Sequence, residues 1–348
     1  MSNEAQPPVN LFAAQQQSLR ERLYLLLSSV HPALQADAKR AFEEPGKLLF
    51  QSSLNESVTY PGRPAGMWSL LTFLVAQHIS PRIDPVLTGD VAIATECFAC
   101  ALDLLDDVED EDQTAILNEI GIARALNLST ALLALAQRSL LSASQRGVDQ
   151  DVLLRLLSTM QQTLQIATSG QHHDLLAEQR QVGDLTREEC IEIAAAKAGA
   201  IMRLACLSGA ICAGASEIEC AEFAEMGELL GIAHQLDNDA HDLYYLVELA
   251  NASQGIALEK SKKNRKSDLA RGKKTLPFVV AAGIHKALQK KRALTDGEEQ
   301  EYVQALREGI MTTWAISLLY RERADERLRA ISSRKPLAPA LHLLLGFE

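Results

Sequence analysis

The chain has 348 residues, a net charge of −11 and a 47% share of hydrophobic residues, so it is long and apolar enough to bury a large core. An acidic chain lacks the Lys and Arg excess on which non-specific nucleic-acid affinity depends, which argues against a nucleic-acid partner. No stretch approaches the ~20 apolar residues that span a bilayer, and the N-terminus lacks the basic start and apolar run of a secretion signal. We therefore expect a soluble, cytoplasmic globular protein.

The spacing of prolines predicts long helices. Prolines occur at positions 61, 64, 81 and 85, and the next is Pro277; proline breaks helix interiors, so the interval permits long helices. Its segments are rich in Ala, Leu and Glu and have helical periodicity. In chain order, we predict helices near residues 90–108, 114–142, 149–169, 186–209, 217–249, 276–294 and from 298 to about 331. The polar residues 1–15 are expected to be disordered, and residues 16–348 to form one all-α domain.

A first cluster of carboxylates ends the helix predicted near 90–108. Asp106 and Asp110 are four residues apart, so their side chains share one helix face, with Asp107 beside them. Carboxylates at a helix C-terminus oppose its partial negative charge, and a bound divalent cation would relieve that cost. Mg²⁺ typically takes one or two carboxylates together with phosphate oxygens. Taken alone, the cluster fits a magnesium site and a solvated acidic helix end about equally.

A second polar cluster repeats the same spacing. Asn238 and Asp242 are four residues apart, with Asp239 between them, and the apolar stretch 226–236 leads into the cluster. Polar groups delivered by an apolar helix are costly unless they find partners. Two such clusters in one helical chain predict a shared metal–phosphate site.

Five motifs in order make the sequence resemble the trans-isoprenyl diphosphate synthase, or polyprenyl synthetase, family. The first is Asp106-Asp107-x-x-Asp110, which looks like that family's DDxxD. Then follow Gly170-Gln171-x-x-Asp174-Leu175, similar to GQxxDL, and Lys197 in a KxGxI segment. Gln235-x-x-Asn238-Asp239-x-x-Asp242 is similar to the second aspartate motif, with Asn in place of its leading Asp. Asp268-Leu269-x-x-Gly272-Lys273-Lys274-Thr275-Leu276-Pro277 matches DLxxGKxTLP. The motifs span roughly residues 60–290.

The resemblance implies an isoprenoid-synthase-type helical bundle around a central apolar cavity, and a homodimer. It also implies that three Mg²⁺ ions bridge the two clusters and an allylic prenyl diphosphate, whose diphosphate leaves to give an allylic carbocation. The implied metal ligands are Asp106, Asp110, Asn238, Asp239 and Asp242. The implied catalytic residues are Asp106, Asp107, Asp110, Lys197, Asp239 and Lys273. The implied substrate-binding residues are Arg63, Phe98, Ala101, Gln171, His234, Gln235 and Lys274.

The sequence departs from the family where isopentenyl diphosphate should bind. In that family two basic motifs hold this substrate, first a GKxxRP segment before the first DDxxD and second an arginine pair just after it. Here Pro61-Gly62-Arg63-Pro64 lacks the lysine, and no basic residue follows Asp110 until Arg124. A diphosphate needs cationic partners to leave water, so we expect no chain extension with isopentenyl diphosphate. Two groups related to the family lack that site. Quorum-peptide isoprenyltransferases, whose sequences Lys197–Ala210 resembles most, transfer the prenyl group to a peptide, and synthase-like terpene synthases cyclise or quench the cation.

Two alternatives remain at this point. The chain could be a chain-elongating polyprenyl diphosphate synthase, or a non-catalytic regulatory subunit of one, although both aspartate clusters are largely intact. In the family, side chains one and two turns before the first aspartate motif set the pocket floor. Ala101 and Cys97 are small there, which favours a substrate of C15 or longer, although Phe98 flanks them and Ala101 could equally serve close helix packing.

Overall fold

The computed structural model describes residues 12–50, 64–252, 273–284 and 296–345. Within these ranges the regular structure is entirely helical. The described helices, labelled in chain order, are α1 (Ala13–Leu27), α2 (Pro32–Phe42), α3 (Met67–Ile79), α4 (Pro85–Glu109), α5 (Ala115–Ile120), α6 (Ile122–Ser144), α7 (Gln150–Gln179), α8 (Arg187–Ala194), α9 (Ala200–Cys212), α10 (Glu217–Ala252), α11 (Leu276–Ile284), α12 (Asp296–Arg334) and α13 (Pro339–Leu345). A 3₁₀ turn, Val182–Asp184, precedes α8, and a π-helical segment, Ala195–Gly199, joins α8 to α9.

The predicted all-α fold is confirmed, with changes at several boundaries. The helix predicted over 114–142 divides at Gly121, whose φ of 76° and ψ of 160° interrupt the helix between α5 and α6. The helix predicted to end near residue 169 continues to Gln179, so the GQxxDL motif lies inside α7. Residues 13–15 were expected to be disordered, but they open α1, which is held in place by buried Phe12 and Gln16. Helices α1 to α3 and α13 were not predicted.

The central helix of the bundle is α4. It packs against α3, α6 and α9, and from Val91 to Ala101 all its side chains are buried. By length and composition α4 could cross a membrane, but 78% of its most apolar window is buried among the other helices. Such all-round apolarity is what a helix enclosed by neighbours requires. The first aspartate cluster therefore lies at the end of a helix whose middle is buried on every side.

A second layer of packing brings the C-terminal helices to the same end of the bundle. Helix α10 packs against α9, α12 and the π-helical segment, and α11 packs between α10 and α12. One apolar cluster unites α8, α10 and α11 through Cys190, Leu236 and Leu276. Consequently α10, which carries the second polar cluster, and the residues just before α11 both approach α8 and the π-helical segment.

A buried glutamate on α4 organises the segments that precede α3. The Glu96 carboxylate accepts hydrogen bonds from the backbone N–H groups of Leu48 at 3.2 Å and Ser69 at 3.0 Å. Nearby, Gly66 N donates to Gly46 O at 3.0 Å. Burial raises the pKa of Glu96, and the N–H groups that donate to it oppose that shift. The carboxylate thus links the backbone at Leu48 and at Ser69 to the central helix.

We expect Glu96→Ala to destabilise the protein strongly, because it leaves two buried N–H donors without an acceptor at roughly 1–3 kcal/mol for each. The free energy of unfolding in urea is the measurement. Glu119→Ala is the matched control, since it removes a carboxylate whose ion pair with Arg40 is half-exposed and should change stability by less than ~1 kcal/mol. Equal stabilities of the two variants would contradict this role for Glu96.

Candidate active site

Lys197 joins the first aspartate cluster to α7. Its Nζ lies 2.9 Å from Asp106 Oδ1 and 2.8 Å from Asp174 Oδ2, and its side chain is 13% exposed. Burial lowers the pKa of Lys197, Asp106 and Asp174 raise it, and the net direction is upward. The ammonium group therefore stays protonated in spite of its burial, and it places a fixed positive charge between α4 and α7.

Lys273 makes the corresponding bridge from the segment before α11. Its Nζ lies 2.8 Å from Asp110 Oδ2 and 3.3 Å from Asp174 Oδ2. Gln171 Nε2 donates to the other Asp110 oxygen at 3.2 Å, and Lys273 and Asp110 are both buried. Asp174 is thus shared by the two lysines. We call Asp106, Asp110, Asp174, Lys197 and Lys273 the ionic network.

Local sequence explains how each helix presents these groups. Asp106 and Asp110 are one turn apart at the end of α4, and Gln171 and Asp174 are three residues apart on α7, so each pair shares a helix face. Lys197 lies in the middle of the π-helical segment Ala195–Gly199. Short π-helical stretches inside α-helices often occur at functional sites, and here one directs a lysine toward two carboxylates.

The second cluster lies on α10, and its members differ in exposure. Asp239 is buried and accepts a hydrogen bond from Gln235 Nε2 at 2.9 Å. Asn238 is half-buried and Asp242 is exposed. Asp237, on another side of the helix, lies 3.9 Å from Arg321 of α12. Asp239 and Asn238 thus lie closer to the bundle interior than Asp242 does.

A cysteine on α8 relates the second cluster to the ionic network. Burial, together with the negative charges of Asp239 and Asp174, raises the pKa of Cys190 to about 12. Both carboxylates are therefore within electrostatic reach of one thiol, which also donates to Lys274 O at 3.7 Å. Asp239 of the second cluster and Asp174 of the ionic network thus both lie near Cys190, and the shared site stays a prediction.

The other predicted site residues are distributed around this centre. Phe98 and Ala101 are buried in the core on α4, and Asp107 is buried beside Asp106. His234 is half-buried on α10. Lys274 turns away from the ionic network and donates to Glu178 O at 2.5 Å, at the C-terminus of α7. Arg63 and the basic residues 260–271 lie outside the described residues. The roles assigned to all these residues stay predictions.

Sequence reasoning missed two residues of this region. Asp174 was noted only as part of the GQxxDL motif, and its spacing of three from Gln171 was the available signal. Lys47 pairs with Asp103, one turn before Asp106 on α4. The backbone hydrogen bond between Gly46 and Gly66 brings Lys47 near the residues that follow Arg63-Pro64, although sixteen positions separate Lys47 from Arg63 in the sequence. No pattern in the sequence predicts such a contact.

The donors present suit Mg²⁺ bound together with a phosphate ligand. Among the described residues no three His, Cys, Asp or Glu side chains converge into a ready cation cage. Mg²⁺ needs no such cage, since it is usually held by one or two carboxylates, waters and substrate phosphates. Asp106 and Asp110 on α4 and Asn238, Asp239 and Asp242 on α10 offer hard oxygen donors of that kind.

Solved structures with this arrangement of helices are polyprenyl synthases. A geranylgeranyl pyrophosphate synthase superposes with a TM-score of 0.72 at 20% identity and covers 97% of this chain and 99% of its own. A polyprenyl synthetase from Streptomyces coelicolor superposes with a TM-score of 0.70 at 22% identity and covers 96% of this chain and 97% of its own. At these identities the likeness shows the fold, which is that of an all-α polyprenyl synthase.

The chain belongs to the polyprenyl synthetase family, whose model matches residues 54–310. A geranylgeranyl diphosphate synthase from Mycobacterium tuberculosis is 30% identical over 56% of this chain and 53% of its own. The tryptophan prenyltransferase ComQ of Bacillus spizizenii is 30% identical over 47% of this chain and 53% of its own. The chain thus spans about half the length of these relatives. A short chain isoprenyl diphosphate synthase from Methanothermobacter thermautotrophicus is 27% identical over 76% of this chain and 81% of its own.

We expect Asp174→Asn to weaken the metal-free fold, because it removes the carboxylate shared by Lys197 and Lys273, whose side chains are 13% and 8% exposed. Charged hydrogen bonds of this kind contribute roughly 1.5–3 kcal/mol, so the free energy of unfolding in urea with EDTA should fall by about that amount. Glu217→Gln is the control, because its carboxylate pairs with Arg155 while 81% exposed. If Asp174→Asn is no less stable than the control, the two lysines do not depend on Asp174.

Proposed function

We propose that this chain is a Mg²⁺-dependent prenyltransferase or synthase that ionises an allylic prenyl diphosphate between α4 and α10. The observation that carries the proposal is the ionic network. Two lysines from distant parts of the chain, Lys273 buried and Lys197 with a side chain 13% exposed, converge on three carboxylates in a member of the polyprenyl synthetase family. Charges held so deeply are expensive to bury unless they have partners or a ligand to bind.

The chemistry follows from where the charge develops. When the allylic C–O bond breaks, both electrons leave with the diphosphate, and the carbon left behind becomes a cation. Mg²⁺ held by the two carboxylate clusters would supply Lewis-acid stabilisation of the departing diphosphate. Lys197 and Lys273 would donate hydrogen bonds to its oxygens, and preorganised donors of this kind are among the strongest contributions to catalysis. Asp174 and Gln171 hold these groups in place beforehand.

We further propose that the cation is not captured by isopentenyl diphosphate. The prenyl group passes to another acceptor, such as a peptide or small molecule, which loses a proton on bond formation, or the cation cyclises or takes up water. The likeness to ComQ supports transfer to an acceptor outside chain elongation. The small, buried Ala101 and Cys97 are consistent with a substrate of C15 or longer, and we retain the homodimer and the cytoplasm as expectations. Comparing turnover of C10, C15 and C20 diphosphates tests the chain length.

Chain elongation is the second candidate, and one observation favours it. Lys47 pairs with Asp103 on α4, close to the first aspartate cluster and near the residues that follow Arg63-Pro64 through the Gly46–Gly66 hydrogen bond. A lysine at this place could take the role of the one that the family carries in its first basic motif. The geranylgeranyl diphosphate synthase relatives agree with this candidate.

Removal of either aspartate cluster should abolish diphosphate release. We expect Asp106→Ala and Asp239→Ala each to lower the rate of pyrophosphate release from farnesyl diphosphate by at least about 10³-fold, because charge stabilisation at the leaving group contributes several kcal/mol. EDTA should have the same effect, and Mg²⁺ should reverse it. Asp151→Ala, on the exposed start of α7, is the control and should retain wild-type rate. Full activity in EDTA would rule out the metal-dependent mechanism.

The two candidate reactions separate when isopentenyl diphosphate is added. If it is not a co-substrate, farnesyl diphosphate should release pyrophosphate at the same rate with and without radiolabelled isopentenyl diphosphate, and no label should enter longer prenyl products. Lys47→Met should then leave turnover close to wild type. Efficient labelled elongation that Lys47→Met reduces would establish the second candidate instead, with Lys47 as part of the homoallylic diphosphate site.

A further inference from the structure

We infer that two glycines, Gly170 on α7 and Gly231 on α10, are positioning residues that set the location of Lys197. They contact the π-helical segment Ala195–Gly199 from opposite sides, and Lys197 is its central residue. The inference deepens the proposed function, on which it rests, because it concerns how the lysine is aimed at the leaving diphosphate.

On the first side, the π-helical segment lies directly against α7. A Cβ built on Gly170 would lie 2.5 Å from Ala196 Cβ and 3.2 Å from the Ala196 carbonyl carbon. Real Cβ atoms do not approach other atoms so closely, so any side chain at Gly170 would move Ala196. Because Ala196 immediately precedes Lys197 in a rigid backbone, such a movement would carry the ammonium group away from Asp106 and Asp174.

On the other side, the segment lies directly against α10. A Cβ on Gly231 would lie 2.4 Å from Ala198 O and 2.7 Å from Gly199 Cα. A side chain at Gly231 would therefore clash with backbone atoms, which cannot move aside by a change of side-chain rotamer. Ala196 and Ala198, the two neighbours of Lys197, are therefore each held by backbone-close contact with a different helix.

The same two helices carry the polar groups of the site. Gly170 is next to Gln171, which donates to Asp110, and Gly231 is one turn before Gln235, which donates to Asp239. The glycine contacts thus fix the position of Lys197 relative to α7 and α10 close to the polar groups of the site. Glycine lowers helix stability by about 1 kcal/mol relative to alanine in a helix interior, so these buried helical glycines are favoured by close approach and not by helix propensity.

The test compares Gly170→Ala and Gly231→Ala with Gly209→Ala. Gly209 on α9 is equally crowded, with a built Cβ 2.4 Å from Thr72 O, but it lies ten residues beyond Gly199 and so about 15 Å away along the helix. Two quantities are measured for each folded variant, namely kcat for pyrophosphate release and the calorimetric affinity for inorganic pyrophosphate with Mg²⁺. A displaced catalytic group costs up to about 100-fold, so we expect kcat to fall about 10- to 100-fold in the first two variants and less than about twofold in Gly209→Ala. Pyrophosphate affinity should fall in the same two variants alone.

Two further variants separate positioning from general destabilisation. In a Lys197→Met background, Gly170→Ala should cause little additional loss of kcat, because residues that act through one another are not additive. The double variant Gly170→Ala, Ala196→Gly removes the clashing methyl group and should recover most of the wild-type kcat and affinity. This double variant also keeps the test decisive if Gly170→Ala alone does not fold.

Three results would overturn the inference. The first is a Gly170→Ala variant that loses thermal stability as Gly209→Ala does but keeps wild-type kcat and pyrophosphate affinity. The second is a loss of kcat that is undiminished in the Lys197→Met background. The third is a folded double variant with no recovery. If the wild type releases no pyrophosphate from any C10–C25 substrate, the proposed function fails, and the pyrophosphate titrations still decide whether the glycines position Lys197.

Discussion

The ionic network is the constraint on which the rest of this structure depends. It unites the end of α4, the middle of α7, the π-helical segment and the residues before α11, and one of its pairs joins positions 163 residues apart. Taking such charges out of water is costly unless every one finds a partner. Each lysine here contacts two carboxylates, and one carboxylate is shared. Every charged group of the network therefore has a partner within it. The three carboxylates and two lysines nevertheless leave a net negative charge that a metal ion would offset.

The closed network also suggests how the site changes when ligands bind. The lysines that neutralise Asp106 and Asp110 are the groups that would face a diphosphate, and those carboxylates are the groups that would face Mg²⁺. On binding, Mg²⁺ would replace the lysines as the partner of Asp106 and Asp110, and the diphosphate would replace these carboxylates as the partner of the lysines. No charge would be left unpaired. Because α7 and α10 are packed against the π-helical segment through glycine and alanine contacts, the exchange at Lys197 would require side-chain movement more than movement of the backbone. That is the condition for preorganised electrostatic stabilisation.

The sequence predicted the parts of this protein that are encoded locally. Long helices follow from composition and proline spacing, and the pairs Asp106/Asp110 and Asn238/Asp242 follow from helical periodicity. The helices α1 to α3 were missed, since α1 buries a polar residue, Gln16, and α3 is apolar on nearly every side. Neither pattern has the amphipathic signal of a surface helix. The π-helical segment has no marker in Ala-Ala-Lys-Ala-Gly, because it arises from contacts with α7 and α10 that only the tertiary structure defines. The shared role of Asp174 was missed for the same reason.

The packing of the segment after Asp110 adds a second argument about the acceptor to the one from the missing positive charges. The family's second basic motif would follow Asp110, but in this chain the residues there lead into α5, whose apolar side chains pack into the core. Thr114 caps α5, with its hydroxyl accepting from Leu117 N at 3.4 Å, and Ile116 and Ile120 are buried beneath it.

The remaining polar groups of that segment are directed elsewhere. Glu119 pairs with Arg40 of α2, so this guanidinium already has a carboxylate partner. Lys47 is already neutralised by Asp103, so it would have to give up that partner to hold a phosphate group. An acceptor without a diphosphate requires none of these rearrangements. The packing after the first cluster, and not only the missing arginines, is therefore consistent with the proposal that the acceptor carries no diphosphate.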